Sequence, residues 1–271
     1  MSDDHSVDIE LRATAAGPVA FIVINRPHRS NALSSSLMEA SADQIERLAS
    51  NTELRALVLT GAGEKAFIGS ADINEMAAFE NAKDARRFIT RVHRFCEALR
   101  SLPVPTIARI NGSTFGAGME LAAACDVRVA ADTAMFGMPE VRLGIPSVVE
   151  AALLPQLIGW GRTRELLLFG ETFSAAEALT WGFVERVAPA ADLDAAVDHW
   201  LGQLARCSPG AVRLQKKLIR AWEDLPLRAS VAAGIDAFEV AAEGEEPALA
   251  MAAHLARRRS DNDAGSSSLP D

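Results

Sequence analysis

The chain is short of cysteine, of positive charge, of long apolar runs and of paired histidines, and each shortage narrows what it does. Its three cysteines, Cys96, Cys125 and Cys207, are odd in number and far apart. They form neither a disulfide framework nor a metal cluster and suit a reducing compartment. Lysine and arginine number 27 against 36 aspartates and glutamates, a net charge of -9. Such an acidic chain repels a phosphate backbone, so nucleic acid is not an expected partner. No stretch approaches the ~18 uninterrupted apolar residues of a membrane helix, so no membrane partner is expected. The acidic opening residues lack the basic-then-apolar order of a signal peptide, and a cytoplasmic location is expected. The five histidines show no metal-ligand spacing, and no Gly-x-Ser-x-Gly elbow is present.

What remains is an ordinary core-forming chain. At 271 residues it has room for one large or two modest domains, and 49% of it is hydrophobic. Residues 7–24 alternate around Gly17-Pro18 and read as a hairpin or two neighbouring strands. A helix is expected from Ser34-Ser35-Ser36, then a buried strand over 54–59 and a helix over 84–102 that Pro103 and Pro105 stop. Strands follow at 106–110 and 127–130, with a short apolar helix opened by Gly116-Ala117-Gly118 between them. This alternation argues an α/β protein with a largely parallel sheet. Beyond Glu150 helices dominate, at 150–158, 161–169, 174–181, 191–206, 209–222, 227–242 and 247–259, interrupted by one strand over 183–187. Residues 1–6 and the last dozen or so read as loose ends.

Gly61-Ala62-Gly63 follows a strand with dinucleotide-loop spacing, but Gly69-Ser70 breaks any helix soon afterwards, so a plain loop is expected. The run from Asn111 to Leu121 is more informative. Small residues there allow close approach of a ligand, and a helix N-terminus offers unpaired N–H groups to an anion. Glu120 lies in that helix's first turn, where it reads equally as a favourable N-terminal acid. Glu140 follows Pro139 in apolar surroundings, which would raise its pKa, unless it pairs with Arg142. Two neighbouring glutamates would share a proton, giving a water between them an acceptor on one side and an acid on the other. That arrangement suits addition of water across an activated double bond.

Five segments, in order, then carry a resemblance over about residues 7–259. They are Asn25-Arg26-Pro27 with Asn31-Ala32-Leu33; Lys65 to Ile73; Asn111-Gly112 to Cys125-Asp126; Phe136 to Glu140; and Ala178 to Val184. Together they resemble the crotonase superfamily, the enoyl-CoA hydratase/isomerase family. The resemblance implies an α/β fold, a crotonase-like spiral of ββα units with a helical C-terminal region. It implies a core over 7–195, a trimerisation region over 196–259 and a disordered tail over 260–271, in a homotrimer or homohexamer. It also implies an acyl-CoA thioester substrate and no separate cofactor, coenzyme A being part of the substrate.

Carried over residue by residue, the oxyanion-hole amides fall on Ala71 and Ala117 and the hydratase glutamates on Glu120 and Glu140. Ala71, Asp72, Ile73 and Asn74 match the stretch that lines bent CoA, and Arg26, Ala66, Ile68 and Ala117 are further substrate-binding positions. The implied reaction is reversible syn hydration of a trans-2-enoyl-CoA. Alternatives are isomerisation, C–C cleavage or decarboxylation, thioester hydrolysis, or acyl-CoA binding without turnover. Two departures stand out. Ser70 replaces a frequent glycine, and the family's glycine-rich loop after the second glutamate is Pro146-Ser147-Val148-Val149-Glu150-Ala151, preceded by a one-residue shortening. A bulkier loop should reshape the acyl pocket. For Glu150, a helix N-terminal acid is preferred here over a catalytic role.

Overall fold

The computed structural model describes residues 6–266, with side chains from 7 to 256. It opens on an antiparallel hairpin, β1 (Ser6–Thr14) and β2 (Gly17–Asn25), whose strands pair from Ser6↔Asn25 to Thr14↔Gly17. Residues 1–5 of the expected loose N-terminus lie outside the described residues. α1 (Ser35–Leu48) starts where the Ser34 hydroxyl accepts the Leu37 N–H, and it buries Leu37, Met38, Ala42 and Ile45 at helical spacing.

Three successive ββα turns follow. The first is β3 (Ala56–Gly61), β4 (Ala66–Ile68), α2 (Ile73–Ala77) and α3 (Ala82–Ser101). The second is β5 (Thr106–Ile110), β6 (Ser113–Phe115) and α4 (Ala117–Ala124). The third is β7 (Val127–Ala131), β8 (Met135–Gly137) and a 3-10 turn, Pro139–Leu143. Each turn places its first strand in one sheet and its second in another. The long sheet runs β1-β2-β3-β5-β7 and the short one β4-β6-β8. From β2 to β7 the long sheet is parallel. Every residue of β3 is buried, as in a parallel strand covered on both faces. This is the spiral that the resemblance implied. No helix opens after Gly61-Ala62-Gly63; β4 begins there instead.

A further 3-10 turn, Val149–Leu153, leads into α5 (Leu154–Phe169), which breaks at Gly159 where φ is 74°. The break divides two helices as expected over 150–158 and 161–169, the first opening on the tighter 3-10 turn. β9 (Thr172–Ser174) joins the short sheet antiparallel to β8, and α6 (Ala175–Trp181) follows. The strand expected at 183–187 is β10 (Arg186–Ala188), the last strand of the long sheet. Phe183 is instead fully buried at the end of α6, its N–H donating to the Ala178 carbonyl at 2.8 Å.

α7 (Leu193–Leu204) packs on β5, β7 and β10, so the first compact unit ends at Ala205 rather than at 195. The second unit, from Arg206, holds α8 (Pro209–Asp224), α9 (Leu227–Ala242) and α10 (Glu246–Ser266). Within it, the Glu246 carboxylate accepts the Gly210 N–H at 3.0 Å, and the Trp222 indole donates to the Ser230 carbonyl at 3.0 Å. The tail expected over 260–271 is helical as far as Ser266, and residues 267–271 lie outside the described residues. Among the described residues no helix is long and apolar enough to cross a membrane.

Candidate active site

β4 and β6 run parallel and in contact, so the loops leaving their C-terminal ends emerge side by side. From β4 comes Gly69-Ser70-Ala71-Asp72; from β6 comes Gly116, which opens α4. Gly118 seals the junction. A Cβ there would overlap the Ile68 carbonyl oxygen, so only glycine lets α4 lie against β4 this closely.

Two unspent N–H groups result. In the bridge between Leu33 and Ala71, Leu33 donates to the Ser70 carbonyl at 3.0 Å and Asp72 donates to the Leu33 carbonyl at 2.9 Å. The Ala71 N–H alternates away from Leu33 and meets no acceptor among the described residues. Ala117 begins α4, where the first N–H groups have no intrahelical partner.

The Ala71 loop is clamped from within. Arg26 pairs with Asp72 at 2.5 Å and donates to the Ala32 carbonyl at 3.1 Å. The other Asp72 oxygen caps α2 through the Asn74 N–H at 3.0 Å. Burial acts to raise the Asp72 carboxyl, but Arg26 and the N–H groups of Glu75 and Asn74 hold it below its ordinary range. Removing either partner strands a buried charge, at a cost of about 3–5 kcal/mol. Arg26 and Asp72, expected to bind substrate, thus shape the loop that carries Ala71. The Ala66 carbonyl receives Asn31 at 2.8 Å and Asn111 at 3.1 Å, and Ile68 is fully buried. Ile73 and Asn74 are exposed on α2 and open to a ligand. The Ser70 hydroxyl donates to the Ala71 carbonyl at 2.7 Å.

Both glutamates meet at the start of α4. Glu120, in its first turn, is 4% exposed on a helix buried on every side. Glu140 reaches the same end from the 3-10 turn after β8. A Cβ on Gly116 would stand 2.5 Å from the Glu140 Oε1, and Gly116 itself has a left-handed φ of 53°. Burial first, then the charges of Glu140 and Glu150, push the Glu120 carboxyl well above the ordinary range; main-chain groups of Ala151 and Val148 oppose this. Burial also raises Glu140, against its own main-chain amide and the Ser147 hydroxyl, which donates to Oε2 at 2.9 Å. The suggested Glu140–Arg142 pair does not form: Arg142 donates to the Phe169 carbonyl at 3.1 Å. The site thus holds two carboxyls raised above their ordinary range beside free main-chain donors, the parts of an acid–base pair with an anion cradle.

The altered loop acts on this site. Ser147 binds Glu140, and Val149 takes a φ of 40°, a region that costs a β-branched residue about 1–3 kcal/mol. Glu150 turns inward to 7% exposure, its Oε1 2.8 Å from His93 Nδ1 on α3. Ser147, His93, Asn31 and Asn111 carry no site role in the reading from sequence. Asn111 had a signal, its Asn-Gly turn; His93 had none, lying beside the buried stripe Phe88, Val92, Phe95, Cys96 and Leu99 of an amphipathic helix.

A raised carboxyl binds more protons folded than unfolded, so stability falls as pH rises through its folded pKa. Glu120→Gln removes that loss. We expect the variant to unfold at higher temperature than the wild type at pH 8, by about 1–2 kcal/mol in stability, with the gap closing toward pH 4. Calorimetry at the two pH values checks this.

The enoyl-CoA hydratase/isomerase family profile matches residues 14–262. The chain is 34% identical to the short-chain-enoyl-CoA hydratase of Clostridium acetobutylicum over 90% of its length and 93% of the relative's. It is 32% identical to the 2,3-dehydroadipyl-CoA hydratase of Escherichia coli, covering 93% and 98% of the two chains. A crystal structure of an enoyl-CoA hydratase from Bacillus anthracis superposes with a TM-score of 0.87 at 32% identity, over 93% of this chain and 96% of that one. The chain belongs to the enoyl-CoA hydratase/isomerase family of the crotonase superfamily.

Proposed function

We propose that the chain is an enoyl-CoA hydratase, adding water reversibly and syn to a trans-2-enoyl-CoA to give a 3-hydroxyacyl-CoA. The observation that carries this is the meeting of Glu120 and Glu140, both held above the ordinary carboxyl range, at the N-terminus of α4. The N–H groups of Ala71 and Ala117 hold the thioester oxygen. Glu120 takes a proton from water as its oxygen bonds to C3, and the C2–C3 π electrons move onto the thioester as an enolate. The enolate collapses and C2 takes its proton from Glu140. Proton return to Glu140 and loss from Glu120 complete the cycle. Losing one such main-chain donor typically costs about 3–4 kcal/mol of transition-state stabilisation, so the cradle is as large a contributor as either acid.

The scheme needs no resident cofactor, because coenzyme A arrives with the substrate. Leu227, Val231, Ile235 and Phe238 form an exposed apolar row along α9, which supports self-association as a trimer or hexamer. The reading places the protein in the cytoplasm, without nucleic-acid or membrane partners.

A spectrophotometric screen of 2-enoyl-CoA and 3-enoyl-CoA thioesters of varied length tests the reaction. We expect loss of conjugation and formation of 3-hydroxyacyl-CoA from 2-enoyl-CoA, with a chain-length preference set by the bulky 146–151 loop. Conversion of 3-enoyl-CoA alone, release of free CoA, or binding without turnover would each overturn the proposal.

A further inference from the structure

We infer that Glu150 and His93 form a positioning pair behind Glu120, Glu150 holding charge against the catalytic carboxyl and His93 joining that buried acid to solvent. The inference rests on the hydratase reading above. Glu150 lies in the 3-10 turn Val149–Leu153, which packs on both α3 and α4. Its carboxylate is more than nine-tenths buried; Oε1 meets His93 and Oε2 has no hydrogen-bond partner. A buried carboxylate oxygen left without a donor is costly and calls for a reason.

The groups around Glu150 supply that reason. α3 contributes His93 and, nearly one turn on, Cys96. The Cys96 thiol is pushed well up by burial first, then by the charges of Glu150 and Glu120. α4 contributes Glu120, and Cys125 closes that helix. Glu140 stands beyond, acting on Glu120 rather than on Glu150. Among the groups that α3 and α4 contribute here, His93 alone reaches solvent, with its side chain 52% exposed. A charged Glu150 opposes ionisation of Glu120 and makes the ionised form a stronger base toward water. A positive charge on His93, 2.8 Å away, would offset that charge, which joins the buried base to the exposed ring.

The test is the pH dependence of kcat and KM for trans-2-butenoyl-CoA hydration by the full chain. Wild type, Glu150→Gln, His93→Gln and the double variant are compared. Glu150→Gln should move the acid limb of kcat lower by about one pH unit and reduce the plateau several-fold. His93→Gln should move the limb the other way, and the double variant should follow Glu150→Gln. KM should stay within about twofold throughout, because the pair acts through Glu120 rather than on the thioester. Superimposable limbs would overturn the pair. Carbon-13 NMR titration of labelled glutamate carboxyls, with no substrate present, gives a second readout. The Glu120 signal, assigned by its loss in Glu120→Gln, should titrate lower in Glu150→Gln; an unmoved signal would overturn the pair. A moved signal in a chain that hydrates no 2-enoyl-CoA would support the pair and contradict the hydratase reading instead. Should Glu150→Gln fail to fold, the opposite displacement in His93→Gln, at its half-exposed position, decides alone.

Discussion

Glu120→Gln and Glu140→Gln should each lower the hydration rate by about 10²–10⁴-fold while leaving the fold intact. Glutamine preserves the volume and most hydrogen bonds of each side chain but neither accepts nor delivers the proton. Glu120 is held in a helix with no solvent face, so its carboxyl is maintained there at a cost to stability. Activity and stability must therefore move in opposite directions in Glu120→Gln: turnover collapses as thermal stability at pH 8 rises. A residue with only a packing role loses both or neither. Glu140→Gln keeps an oxygen to accept the Ser147 hydroxyl, so thioester affinity should survive while kcat falls. Steady-state kinetics beside circular dichroism separate these cases. Losses below about tenfold in both variants would remove the glutamates from the chemistry.

Gly118→Ala should cost at least about 10²-fold in activity and about 2–4 kcal/mol in stability. The added methyl would collide with a main-chain oxygen of β4, not with a flexible side chain, so the helix itself must move. α4 carries Ala117 and Glu120, and the strand it leans on leads into Ala71. A shift of about 1 Å disturbs the donors and the base together, and misplacement on that scale is enough for a loss of this size. Gly161→Ala is the matched control. Its Cβ would meet nothing within 4 Å, so it should leave turnover unchanged and stability equal or slightly higher. Equal behaviour of the two variants would show that the close approach of α4 to β4 does not position the site.

The long sheet was legible because β2 and β3 are largely continuous apolar runs bounded by turn residues. The short sheet was not. Its strands, such as Ala66–Ile68 and Ser113–Phe115, are too brief for any two-residue period to register, yet the candidate site lies at their ends. The glutamates were placed by resemblance to a family, since a twenty-residue separation says nothing of proximity. Loss of glycines from the 146–151 loop was visible, but only the backbone shows that Val149 bears the left-handed conformation and that Glu150 faces inward. His93 was hidden for a simpler reason: its partner lies 57 residues away, on another element.

A crystal structure of the chain with an unreactive 2-enoyl-CoA analogue bound is the most direct measurement. The thioester oxygen should sit about 2.7–3.1 Å from the N–H groups of both Ala71 and Ala117. One water should touch both Glu120 and Glu140 over C2 and C3. A thioester lodged elsewhere, or carboxyls opening onto separate spaces, would contradict the hydration scheme at its root.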